Sequence, residues 1–151
     1  KNKKFGGDVN IESVVLVALY HDASEVLTGD LPSPIKYHNE EIAKAYKKIE
    51  NIAEHALLDM LPEEFQEDFR PLLLHNEIPK DVALVVKSAD VICGYLKTIE
   101  EIHAGNHEFE KARKNISKTL EQYSTPEVCY FLDVFLPSFT LSLDEISAPL
   151  E

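Results

Sequence analysis

Residues 11–32 read IESVVLVALYHDASEVLTGDLP, and this stretch decides the fold class. Asn10 stands before it as a helix N-cap, and an almost unbroken apolar run follows from Ile11 to Leu27. An apolar run of this length predicts a helix that is buried on most sides. Gly29 ends that helix. The residues 31–34 that follow are predicted to be extended, because each proline disfavours helical geometry in the residue before it.

Apolar residues at three- and four-residue spacing continue beyond this stretch. A second helix is predicted from Asn39 to about Leu61, and a fourth from Lys80 to Ala104. No segment alternates as a strand does, and no internal repeat or linker interrupts the pattern. The sequence therefore predicts an all-α fold, a bundle of about six helices in a single domain over residues 1–151.

The composition narrows the class of partner. Lys and Arg number 15 against 27 Asp and Glu, which gives a net charge of −12. Such a chain is not expected to bind a nucleic-acid polymer or an anionic membrane surface. A small anionic substrate remains open, because one metal ion can reverse the field inside a pocket.

Two further features concern the cellular location. The sequence shows no apolar stretch of membrane-spanning length and no signal peptide, which favours a cytoplasmic protein. Cys93 and Cys129 each stand among apolar neighbours. They are predicted to be buried, reduced thiols and not part of a disulfide framework.

Three ionisable side chains follow the apolar run of the first helix: His21, Asp22 and Glu25. Taking His21 as zero on a continuous helix, Asp22 lies at about 100° and Glu25 at about 40°. All three then project into one arc, where a histidine nitrogen and an aspartate oxygen can hold a metal beside a second carboxylate. The structural alternative is a terminal histidine paired with its own i+4 glutamate.

Asp90 is a second anomaly, because it lies in the strongly apolar helix that begins at Lys80. Its structural alternative is an ion pair with Lys87, and its functional one is a metal ligand from a second helix. His75 follows three leucines and is predicted to be structural, with a pocket-facing role as the alternative.

The stretch from His21 to Pro32 also resembles the bacterial 5′-deoxynucleotidases of the HD-domain superfamily, the YfbR type. The resemblance covers essentially the whole chain. It continues through Lys36-Tyr37, Lys87-Ser88-Ala89-Asp90, Tyr95-Leu96-Lys97, Pro137-Ser138-Phe139 and Ser142-Leu143-Asp144-Glu145-Ile146-Ser147. It implies an HD-domain helical bundle acting as a metal-dependent phosphohydrolase. The implied substrates are 2′-deoxyribonucleoside 5′-monophosphates, and the products are deoxynucleoside and phosphate.

The resemblance also implies roles for individual residues. One divalent cation, Co²⁺, Mn²⁺ or similar, would be held by His21, Asp22 and Asp90. Glu25 matches the catalytic carboxylate, and Asp22 shares in catalysis. The substrate would meet Asp22, Asp90 and the loop that contacts its sugar and base, formed by Asp30, Leu31, Pro32 and Ser33. The family is typically homodimeric. An apolar contact between copies, or simply core packing, would explain Phe131, Val134, Phe135 and Leu136.

One departure from the family pattern concerns the N-terminal region. The resemblance implies a metal-binding histidine, an arginine and a tryptophan ahead of the His-Asp doublet. In this chain no histidine precedes His21, and there is no tryptophan. We therefore expect the HD domain over residues 1–151 to be incomplete at its N-terminus. Activity of the 151-residue chain is expected to be impaired by the missing metal ligand.

Three other functions are compatible with the same residues. Another HD phosphohydrolase would act on ribonucleotides, alarmones or cyclic nucleotides. A non-catalytic regulator would bind nucleotide without turnover. An unrelated helical interaction module would carry these charges as solvated surface.

Overall fold

The computed structural model describes residues 1–36 and 38–147, so Tyr37 of the Lys36-Tyr37 motif lies outside the described residues. Regular structure in the described part is helical, and no strand occurs there. The α-helices are α1 (Asn2–Phe5), α2 (Ile11–Tyr20), α3 (Glu25–Thr28), α4 (Ser33–Lys36), α5 (Glu40–Asp59), α6 (Glu63–Leu73), α7 (Lys80–His103), α8 (Glu110–Gln122), α9 (Pro126–Val134) and α10 (Leu143–Ser147). Short 3₁₀ turns span His75–Glu77, His107–Phe109 and Leu136–Thr140. The predicted all-α fold is confirmed.

The helices fall into two groups by length. Six of those described have nine residues or more, which matches the predicted number of about six: α2, α5, α6, α7, α8 and α9. The remaining four, α1, α3, α4 and α10, have four or five residues each. A single turn is too short to show helical periodicity in a sequence, so these four carried no such signal.

Local capping signals in the sequence place several helix starts correctly. The side chain of Asn10 accepts a hydrogen bond from the Ser13 amide at 2.9 Å. Asn39 accepts one from the Ile42 amide at 2.8 Å in the same way. Each bond satisfies an amide that the first turn of a helix leaves without a partner. Both predicted N-caps are confirmed.

The chain divides into two compact units. The first comprises residues 1–9 and 84–151. Its apolar core consists of Val91, Ile92, Leu120 and Val128. These residues come from α7, α8 and α9, so the unit is built of three helices packed through their apolar faces.

The second unit comprises residues 10–83 and has a core of its own. Leu58 of α5 packs there with Leu73 and Leu74, at the end of α6. Tyr20, the last residue of α2, meets the ring of Phe69 edge to face at 5.7 Å between centroids. This packing fixes where α2 ends, and α2 ends immediately before His21. The prediction of one HD domain over residues 1–151 stays a prediction.

The first long helix is shorter than the sequence predicted. It ends at Tyr20, and a turn over residues 21–24 separates it from α3. It is also less buried than predicted, since only Val17 is buried within it, whereas Leu19 is 72% exposed. The apolar run therefore predicted a helix that is too long and too buried. Because α2 packs mainly on α6, its other faces remain exposed.

The segment after Gly29 also differs from its predicted extended form. Ser33 and Pro34 belong to the helical turn α4, in which the Pro32 carbonyl accepts bonds from the Ile35 and Lys36 amides at 2.8 and 3.0 Å. A proline in the first turn of a helix costs no hydrogen bond, because the amide it lacks would have no partner there. This tolerance outweighs the preference of the preceding residue for extended backbone.

The two cysteines are free thiols, as expected, but both are exposed. The prediction that they are buried was wrong. Val91 and Ile92 turn toward the core of the first unit, and Cys93, the next residue of α7, lies on another face of the helix. Apolar neighbours in sequence therefore did not imply an apolar environment in space.

No helix in the part of the chain that the structure describes combines the length and apolarity needed to cross a membrane. The cytoplasmic location stays a prediction.

Gly29 allows a testable prediction about the turn that follows α3. Its φ of +72° with ψ of 159° is a combination adopted almost only by glycine. We expect Gly29→Ala to lower the free energy of unfolding by about 1–3 kcal/mol, measured by urea denaturation. Gly94→Ala in α7 is the control, because its new Cβ would lie at an ordinary 3.7 Å from Ile116. That change should stabilise the helix by about 0.5–1 kcal/mol. Equal effects of the two variants would contradict this interpretation of Gly29.

Candidate active site

The turn between α2 and α3 carries the residues that the sequence singled out. Its backbone bonds join residues three apart: the Glu25 amide donates to the Asp22 carbonyl at 2.9 Å, and the Val26 amide to that of Ala23 at 3.2 Å. Residues three apart eclipse each other in such a tight turn. Asp22 and Glu25 therefore lie on the same side. The placement of Glu25 between His21 and Asp22 assumed a continuous helix, and in that respect it was wrong.

His21 is held by its own helix end. Its Nδ1 donates to the carbonyl of Ala18 at 2.7 Å, which leaves the lone pair on Nε2 free in the neutral ring. Nε2 lies 3.0 Å from Oδ2 of Asp22. The structural alternative predicted an ion pair with Glu25, whereas the partner of the ring nitrogen is Asp22.

This His21–Asp22 pair has the chemistry of a cation site. With the ring neutral, a nitrogen lone pair faces a carboxylate oxygen, and a proton or a metal ion between them would hold both in place. Two ligands bound at about 2.1 Å to one ion and at a right angle are about 3 Å apart. The donor set, an imidazole nitrogen and a carboxylate oxygen, suits a divalent transition metal.

Glu25 occupies an environment that disfavours its charge. It is half-buried, and this burial is the main reason that its pKa lies above the ordinary value. The negative charges of Asp22, Asp30 and Glu50 raise the pKa further, and Lys36 opposes them. A raised pKa makes a carboxyl group a weaker acid and a stronger base than an exposed glutamate, which favours a role in proton transfer.

The raised pKa of Glu25 predicts a pH dependence of stability. The folded protein holds the Glu25 proton more tightly than the unfolded chain, so stability falls as pH rises from the ordinary glutamate pKa through the raised one. Glu25→Gln removes this loss. We therefore expect the variant to gain stability relative to the parent between acidic and neutral pH, measured by urea denaturation of metal-free protein. A stability difference between Glu25→Gln and the parent that does not change with pH would contradict the raised pKa of Glu25.

The predicted substrate loop, residues 30–33, starts from an anchored point. The hydroxyl of Tyr46 in α5 donates to the Gly29 carbonyl at 3.1 Å. At the other end of the loop, Nζ of Lys36 lies 2.5 Å from Oε1 of Glu50 and 4.6 Å from the centre of the Tyr46 ring. Asp30, Leu31 and Pro32 lie between these anchors without regular structure. The backbone of Ser33 begins α4.

Asp90 belongs to the other unit and lies on α7. Its Oδ2 is 2.6 Å from Nζ of Lys87, and its side chain is 39% exposed. The ion pair with Lys87, named above as the structural alternative, is therefore present. Within each unit, the described residues show no group of three or more His, Cys, Asp or Glu placed to hold a metal. The role of Asp90 as a ligand stays a prediction.

A further contact network, centred on the buried Glu54 and the partly exposed His75, adjoins the doublet and was not predicted from the sequence. Glu54 of α5 is only 4% exposed, and it meets the ring and the backbone amide of His75. Nε2 of His75 in turn lies 2.9 Å from the carbonyl oxygen of His21. The available signal was Glu54 itself, which stands one turn before the core residue Leu58 on the same face of α5.

An all-helical fold with a His-Asp doublet at the end of a helix is the arrangement expected of an HD-type hydrolase. The sequence profile of the YfbR-like 5′-deoxynucleotidase family matches residues 1–139, and the chain belongs to this family. It is 63% identical to a 5′-deoxynucleotidase of Vibrio parahaemolyticus, 60% identical to one of Vibrio cholerae and 56% identical to one of Photorhabdus laumondii. Each alignment spans 147 residues, which is 97% of this chain and 75–76% of the relative.

Proposed function

We propose that the protein removes the 5′-phosphate from 2′-deoxyribonucleoside 5′-monophosphates, giving deoxynucleoside and phosphate. The observation that carries the proposal is the 3.0 Å pair of His21 and Asp22, with Glu25, whose pKa is raised, three residues after Asp22. The relatives at 56–63% identity are named 5′-deoxynucleotidases, which supports the same substrate class here.

The proposal includes one divalent cation, Co²⁺, Mn²⁺ or similar. His21 and Asp22 would hold it from the end of α2, and Asp90 would be the third ligand. When bound, such a cation supplies Lewis acidity toward water and a phosphate oxygen.

Glu25 is the proposed proton carrier. Because its pKa is raised, the carboxyl group holds a proton at higher pH than an exposed glutamate does. It can therefore give that proton to the departing 5′ oxygen, or accept one from attacking water. Asp22, on the same side of the turn, would orient the water.

Residues 30–33 are proposed to contact the sugar and base. Their anchors at Gly29 and Lys36 fix the two ends of the loop, so the segment between them can be held against a substrate. Asp30 adds an acceptor for sugar hydroxyls. A loop in this position would select the deoxyribose, while the doublet and Glu25 act on the phosphate.

Asp90 gives a prediction that separates its two roles. If it is a ligand, Asp90→Asn should weaken Co²⁺ binding about tenfold or more. Lys87→Met is the matched control, because it breaks the same ion pair and keeps the carboxylate. It should change stability by only about 0–1 kcal/mol and leave Co²⁺ affinity as it is. If neither variant changes Co²⁺ affinity in titration calorimetry, Asp90 is not a ligand.

The function is tested by phosphate release from a panel of nucleotides in the presence of Mn²⁺. We expect release from deoxynucleoside 5′-monophosphates and little from the matching ribonucleotides. Preferential release from ribonucleotides, or turnover of cyclic nucleotides or alarmones, would assign another HD phosphohydrolase. Deoxynucleotide binding without turnover would favour a regulator. No binding and no turnover would favour an interaction module.

We also propose that the protein is a homodimer. Val134 and Phe135 at the end of α9 are 50% and 47% exposed, and Phe135 stacks on Phe131 at 5.4 Å between ring centres. Phe131 itself is partly buried against the core of the first unit, so the exposed apolar surface is that of Val134 and Phe135. Neighbouring exposed apolar side chains of this kind are typical of contact surfaces. Light scattering coupled to size exclusion would give twice the chain mass, and Phe135→Asp should shift it to one chain mass.

A further inference from the structure

His75 connects three helical segments of the second unit at one point. It follows α6 directly and begins the 3₁₀ turn His75–Glu77. Its ring reaches Glu54 of α5 through Nδ1 and the carbonyl of His21 through Nε2. His75 and His21 are 54 residues apart in sequence, so this bond ties the doublet to the body of the unit.

The partners of the His75 ring assign its hydrogens. The carbonyl of His21 can only accept, so Nε2 of His75 must donate to it. Nδ1 faces Oε1 of Glu54. The two contacts, one at each ring nitrogen, together fix the orientation of the ring.

Glu54 fixes the position of that ring. Its side chain is 6% exposed, so its oxygens need partners within the protein. Oε1 meets the ring of His75, and Oε2 accepts from the His75 backbone amide at 3.3 Å. With ring and backbone both held by one buried carboxyl group, His75 has little freedom to turn away from His21.

The carbonyl of His21 lies where α2 ends and needs such a partner. Carbonyls at the end of a helix lack amides from a following turn. The neighbouring ones, of Tyr20 and Asp22, accept from the Ala23 and Glu25 amides at 2.9 Å each. That of His21 accepts from His75, while its own ring is held by Ala18. Backbone and ring of His21 are therefore both fixed.

We propose that Glu54 and His75 are positioning residues, which fix the His21–Asp22 doublet in the geometry that binds a cation. The cation in this proposal rests on the proposed function, whereas the contact between His75 and His21 does not depend on it. Mutation of a residue that hydrogen-bonds to a metal ligand typically lowers metal affinity about 10–100-fold. The pair touches neither cation nor substrate and acts only through His21.

The first test needs no metal. Long-range ¹H–¹⁵N NMR correlations at about pH 8, above the ordinary histidine pKa, report which nitrogen of His21 carries the hydrogen. In the parent chain we expect Nδ1. In His75→Leu the turn loosens, and we expect a mixture of the two tautomers. His55→Leu is the matched control, because His55 bonds only to the Asn51 carbonyl of its own helix in the described contacts.

The second test uses Co²⁺ alone, followed by its visible absorption. His75→Leu should weaken Co²⁺ binding about tenfold or more, whereas His55→Leu should match the parent. Glu54→Gln keeps a hydrogen-bonding partner for Nδ1 of His75, so its Co²⁺ affinity should stay within about threefold of that of the parent. The double variant Glu54→Leu/His75→Leu leaves no buried carboxyl group unpaired, so it keeps the test available if the single variant fails to fold.

The outcomes separate this proposal from the proposed function. An unchanged His21 tautomer in a folded His75→Leu or double variant would overturn the positioning role. So would unchanged Co²⁺ affinity in those variants, and the proposed function would then still stand. A parent chain that binds no Co²⁺ would count against the proposed function. The tautomer comparison would still decide the positioning role.

Discussion

Glu25→Gln is expected to reduce phosphate release from a deoxynucleoside 5′-monophosphate about 100-fold or more relative to the parent chain. The amide has nearly the shape of the carboxyl group, but it can neither give nor take the proton that the reaction moves. Co²⁺ binding should stay within about threefold, because Glu25 is not one of the proposed ligands. Phosphate release and visible Co²⁺ absorption measure the two effects separately.

A suitable control for this change is Glu12→Gln. Glu12 is an exposed acid in the first turn of α2, on the same helix that leads to the doublet. It should retain parental turnover. If Glu25→Gln turns over as fast as Glu12→Gln, then Glu25 is not the proton carrier.

Asp22→Asn should abolish both turnover and cation binding. The carboxylate oxygen of Asp22 lies 3.0 Å from Nε2 of His21, and the amide would put a neutral group in its place. A neutral oxygen binds a divalent cation far more weakly than a carboxylate, so we expect Co²⁺ affinity to fall about 100-fold or more. Metal content of the purified protein and titration with Co²⁺ are the measurements.

Asp30→Asn gives the contrast for Asp22→Asn. Asp30 is a nearby exposed carboxylate that raises the pKa of Glu25, but it is proposed to meet the sugar and not the cation. It should keep Co²⁺ affinity and raise KM for the deoxynucleotide. Equal loss of Co²⁺ binding in both variants would show that the effect is general negative charge and not ligation by Asp22.

Much of the fold could be predicted from the sequence because its signals are local. Asn10 and Asn39 cap helices through their own side chains, within three residues of the amides they bind. The long helices α5 and α7 show their apolar spacing directly. By contrast, nothing local marks the end of α2 at Tyr20. That end depends on the Phe69 ring and on the His75 imidazole, which come from far along the chain.

The residues of the candidate site could be predicted from the sequence, but their arrangement in space could not. The doublet and Glu25 are visible as charges after an apolar run, which is a costly and therefore informative pattern. Their mutual geometry was not, because a tight turn replaces the helix on which the angles were based. Glu54 is one of several acids in α5, and the sequence marks it only by its position one turn before the core residue Leu58.

The most direct test of the central claim is phosphate release from dAMP by the chain before and after removal of divalent metal. We expect release to stop when metal is removed and to return when Co²⁺ or Mn²⁺ is added, with AMP hydrolysed much more slowly than dAMP. An unchanged rate from the metal-free chain, or equal rates on dAMP and AMP with metal present, would contradict it.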